Sequence, residues 1–188
     1  MKPLTATLAF ILSITLSAQV VPIKDSLQTD IAKVISDFPN GFRNISGDQV
    51  VENPQTIEFD SRVLLKDAVK CRVIKYSSNV KDIYSWEAEM LKTDDFEEIS
   101  KKFRSIYNSL QHLSVNVNGT NAVFKGEFIK PTESIKFTTI VFDAGDKTPE
   151  LKKLKVALLL ETEMLDWVIR IQVYEKERED KDRGPEKD

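Results

Sequence analysis

Apolar residues recur along this chain with two different periods, and the places where one period gives way to the other decide what it can fold into. Between residues 26 and 38, Leu27, Ile31, Val34, Ile35 and Phe38 fall on one face of a helix. Pro39-Asn40-Gly41 ends it. The same spacing returns in Phe96, Ile99, Phe103, Ile106, Tyr107 and Leu110. There Asp94, Asp95, Glu97 and Glu98 come before Lys101, Lys102 and Arg104, the charge order a helix dipole favours, and Asp94 with Glu97 has the spacing of a capping pair. Elsewhere the period is two. Strands are predicted over residues 56–59, 69–76, 83–91, 113–117, 122–128, 135–142, 154–163 and 167–174. Within residues 83–91, Tyr84, Trp86, Ala88 and Met90 alternate with Ser85, Glu87 and Glu89, which describes a sheet buried on one face and wet on the other.

Turn residues set the connections. Asn118-Gly119 between alternating segments is a two-residue hairpin signal, and pairing Val117 with Thr120 sets Val115 opposite Ala122 and Leu113 opposite Phe124. The apolar side chains then share one face. Met164-Leu165-Asp166 forms a second tight connection, after which Trp167, Ile169, Ile171 and Val173 point one way and Val168, Arg170, Gln172 and Tyr174 the other. Residues 42–54 read as a loop with a short strand around Val50 and Val51, and residues 143–150 as another loop. The class is therefore α+β, antiparallel sheet packed on two helices. Its order, helix then strands and again helix then strands, suits two tandem helix-plus-sheet units. A single curved, cystatin-like sheet accounts for the same order.

The two ends differ in kind from the middle. Lys2, an apolar run over residues 4–16, then Ser17 and Ala18 have the charged, apolar and small order of a secretory signal, too short to span a bilayer. Cleavage is expected after Ala18, giving a signal peptide over residues 1–18 and one domain over 19–174. Leu16-Ser17-Ala18-Gln19 resembles the end of bacterial signal peptides, and no Cys near the cut supports lipid attachment. Residues 175–188 carry 12 charges of mixed sign in 14 positions, a solvated, disordered tail. The expected location is outside the cytoplasm, periplasmic or extracellular. A formal net charge of −3, from 27 Lys and Arg against 30 Asp and Glu, lacks the positive field that nucleic acid or anionic lipid requires.

Few residues invite chemistry. Cys71 is the only cysteine and His112 the only histidine, so neither a disulfide nor a zinc site of three or four such ligands can be assembled. Cys71 lies between Val69 and Val73 at strand spacing, as a buried core thiol would. His112 closes the second helix, where a cation suits the free carbonyls. Asp143, Asp146 and Glu150 match no calcium loop. The sequons at Asn44 and Asn118 matter only in a glycosylating pathway, and Asn118 already has a turn role. Two carboxylate pairs remain, Glu87 with Glu89 and Glu161 with Glu163, each about 6–7 Å apart by strand geometry and within the range of glycosidase acids.

The leading expectation is a non-catalytic exported module, a binding or cell-envelope protein that takes an unidentified protein or glycan and uses no cofactor. Its candidate surface is the face of the last hairpin opposite Trp167, made of Leu159, Glu161, Val168, Arg170 and Tyr174, where aromatic, arginine and aliphatic groups mix as they do in interfaces. The competing expectation is a secreted carboxylate-dependent hydrolase such as a glycosidase.

Overall fold

The computed structural model describes residues 26–77, 82–145 and 148–176; the expected signal peptide and all of the expected tail but Glu175 and Lys176 lie outside them. The fold is mixed α+β. Among the described residues three α-helices, α1 (Ser26–Asp37), α2 (Phe96–Leu110) and α3 (Pro149–Lys153), accompany β1 (Ser46–Glu52), β2 (Thr56–Ser61), β3 (Lys70–Tyr76), β4 (Ile83–Thr93), β5 (Ser114–Val117), β6 (Thr120–Val123), β7 (Phe137–Asp143), β8 (Leu154–Glu163) and β9 (Asp166–Glu175). Seven strands form one sheet in the order β1-β2-β3-β4-β9-β8-β7, every neighbour antiparallel.

Helices and sheet meet along alternate strand residues. Ile31, Val34 and Ile35 of α1 and Ile99, Phe103, Ile106 and Leu110 of α2 share one core cluster with Trp86, Ala88, Leu158, Leu160, Ile169, Ile171 and Val173. The indole N–H of Trp86, fully buried, donates to Ser61 Oγ at 2.8 Å, so the largest core side chain carries its own polar partner. Cys71 is 2% exposed on this inner face, and burial pushes its thiol above the ordinary range.

Four local expectations need correction. Residues 42–54 hold a full edge strand: β1 pairs with β2 through two register shifts, and those irregularities hide the alternation that marks the other strands. The expected loop after Asp143 leads into α3, too short for an apolar stripe to reveal. The Asn118-Gly119 hairpin has the expected register, Val117 opposite Thr120 and Val115 opposite Ala122, with Asn118 at φ 49° and Gly119 at φ 84°. It stands, however, as a separate two-stranded sheet, β5-β6; Phe124 still donates to the Leu113 C=O at 3.0 Å, and beyond it the chain makes the isolated bridge of Lys125 with Asp143 instead of the strand expected to 128. Finally, Asp95 caps α2 in place of Asp94, accepting from the N–H groups of Glu97 and Glu98 at 2.8 and 3.0 Å. A residue one step nearer the helix satisfies two otherwise orphaned donors.

Candidate functional site on the outer sheet face

Opposite the helices, the sheet carries bands of charge whose sign alternates strand by strand. Glu58 and Asp60 on β2 meet Arg72 on β3; Lys70 of β3 lies 3.2 Å from Glu89 of β4. Arg170 on the interior strand β9 then stands between the acids of β4 and those of β8. Its Nε is 3.3 Å from Glu87 and its Nη2 3.5 Å from Glu89, and on the other side it bonds both Glu161 and Glu163. Gln172 donates to Glu87 at 2.7 Å. Lys92 adds a second cation to Glu163, at 3.3 Å. Register builds this ladder, since Arg72 is paired with Glu87, Lys70 with Glu89, and Glu89 with Arg170.

The face expected to be wet is thus partly dry. Ser85 is fully buried, Glu89 is 7% exposed and Arg170 9%, because long cross-strand side chains lie over one another along the middle of the sheet. Deeply placed charges of this kind are tolerable only when paired and hydrogen-bonded. Both carboxylate pairs are therefore drawn onto one guanidinium. This gives a structural charge network in which each acid faces a cation, unlike an acid held in an apolar pocket as a proton donor.

The five expected surface residues share this face, but their exposure differs. Val168 and Tyr174 are buried with Arg170; Leu159 and Glu161 are half-buried. Lys155 of β8 bonds Asp143 at the end of β7, and the ladder around Arg170 itself ends at β8. Beyond it, Phe137 sits opposite Glu161, Thr139 opposite Leu159 and Val141 opposite Ala157, and Phe137 is 55% and Val141 38% exposed. An apolar strip of Leu159, Phe137 and Val141 thus borders the charged band. The sequence shows these side chains but not their adjacency to Arg170, which only strand pairing supplies. β7 ends the strand order. Its last residue is covered by Lys125, whose N–H and C=O bond Asp143 at 3.0 and 2.9 Å, while no strand lies beside Phe137 to Val141 among the described residues.

Other candidates are placed apart. His112 is exposed just past α2, whereas Cys71 is sealed in the sheet core. Asp143 bonds Lys155 and accepts the Gly145 N–H at 2.6 Å; burial pushes its carboxyl up, and those two donors outweigh it, so it lies below the ordinary range. Asp146, and the Glu150 side chain, lie outside the described residues. A cleft of about 520 Å³ opens beside the Phe38–Asn44 turn, where buried Asp37 ties down Asn40 and Asn44 at 2.8 and 2.6 Å. Among the described residues no group of three or more His, Cys, Asp or Glu could hold a metal ion, and no helix is long and apolar enough to cross a membrane. Comparison of the chain with protein-family models, with curated proteins and with solved structures found no match.

Proposed function

We propose that this chain is an exported, non-catalytic binding module that docks a protein partner of the cell envelope on its outer sheet face. The observation that carries the reading is the strip of exposed Phe137 and Val141 with half-buried Leu159, beside a carboxylate band already committed to Arg170 and Lys92. An apolar centre with a polar, fixed rim is what protein interfaces use. The edge from Phe137 to Ile140 also offers backbone groups to an incoming strand. Glycoside hydrolysis by Glu87 or Glu161 is less favoured, because a proton-donating acid needs a substrate-sized cleft and freedom from a guanidinium. The tandem-unit reading belongs with this proposal: α1 leads into β1–β4, α2 leads into β7–β9, and the last strands of the two series pair.

Phe137→Ser combined with Leu159→Ser tests the surface directly. The melting temperature should fall by no more than a few degrees, as for half-exposed positions, while recovery of the partner crosslinked in intact cells drops at least tenfold. Destabilisation of several kcal/mol, of the size of a large core truncation, would assign the strip to the core. Unchanged recovery would equally remove the proposal.

A further inference from the structure

On the helix side, away from the outer sheet face, α2 and the segment Phe128–Pro131 enclose a groove of about 310 Å³ lined by Phe96, Ser100, Lys101, Arg104, Phe128 and Lys130 among others. Its walls are apolar. Phe96, Phe128 and buried Pro131 supply them, and the Phe96 ring is itself braced by Trp167 at 5.1 Å between centroids. Its rim is cationic. The Arg104 guanidinium lies 4.4 Å over the Phe128 ring, which holds it at the mouth of the groove. Lys101 is paired with Glu97 at 2.7 Å, the one acid in the lining; among the described residues Arg104 and Lys130 meet no carboxylate. Three cations against one acid is a local excess of positive charge in a chain whose net charge is −3.

We propose that this groove binds a small amphipathic anion, one carboxylate or sulfonate on a compact alkyl or aryl body. Charge complementarity selects that occupant: the body lies against Phe96, Phe128 and Pro131, and the head meets Arg104 and Lys130. The volume is at the lower end of the range for small-molecule sites, which excludes long lipids. The site stands independently of the outer-face reading, so either can fail alone.

Titrating the full chain with sodium octanoate, octylamine and 1-octanol, followed by chemical shifts of α2 amides, tests it. Octanoate should bind saturably and at least tenfold more tightly than octylamine, with octanol between. Arg104→Glu combined with Lys130→Glu, both at exposed positions, should abolish that preference without changing the melting temperature. Absence of saturable octanoate binding, or equal binding of the amine, overturns the proposal. A dimer that the double charge reversal dissociates and octanoate does not would also overturn it, by assigning the groove to a second copy of the chain.

Discussion

Replacing Arg170 by Met is expected to destabilise the fold by about 3–5 kcal/mol, the range for removing one partner from a buried charge group. The side chain is 10% exposed and is shared by Glu87, Glu89, Glu161 and Glu163, whose exposures rise from 8% at Glu89 to 40% at Glu163. Water screens the outer two acids, so most of the loss comes from Glu89 and Glu87. Four like charges would then face one another across β4, β9 and β8, with only Lys70 and Lys92 left to offset them. Urea unfolding of Arg170→Met beside the wild type measures the loss. Lys92→Met, at a position 40% exposed, should cost no more than about 1 kcal/mol. A loss that small for Arg170→Met would mean that the ladder is decorative.

Trp86→Ala is expected to cost a further amount of the same order, about 3–5 kcal/mol, as large aromatic truncations in close-packed cores do. Trp86 is fully buried and faces Val73 of β3 and Val173 of β9 in its two cross-strand pairs. The gap left by Ala would open under both neighbours at once. Trp86→Phe separates packing from polarity. It keeps most of the volume and removes the 2.8 Å bond to Ser61 Oγ, but that hydroxyl still bonds the backbone of Val63 on both its donor and acceptor sides. Only about 1 kcal/mol should be lost to the missing bond. Thermal unfolding of the two variants side by side would check the ratio.

What the chain shows before folding is the local pattern. The stripe from Phe96 to Leu110 gives α2, the Asn118-Gly119 pair gives the β5-β6 register, and the alternation from Trp167 to Val173 gives the inner face of β9. Each depends on neighbours a few residues apart. Strand order does not, because β4 meets β9 only after some 80 intervening residues have been placed. That pairing is what brings Glu87 and Glu89 to Arg170, so two pairs that looked like possible catalytic acids become parts of one ion network. The same cause explains the exposure of the expected surface. Val168 and Tyr174 alternate outward as the period of two requires, yet β9 lies inside the sheet and both are buried, while Phe137 on the edge strand is left in water. β1 was obscured for a different reason: its register shifts break the period from which a strand is recognised.

The proposed contact of the Leu159, Phe137 and Val141 strip with a partner protein is tested most directly by crosslinking. Placing a photo-crosslinking amino acid at Phe137, at Leu159 and, as a control on the exposed side of α2, at Asn108 measures this in cells that produce the full chain. A discrete protein adduct is expected from Phe137 and Leu159 and none from Asn108. Adducts from Asn108 alone, or no adduct from either sheet position together with glycoside turnover that Glu161→Gln abolishes, would contradict it.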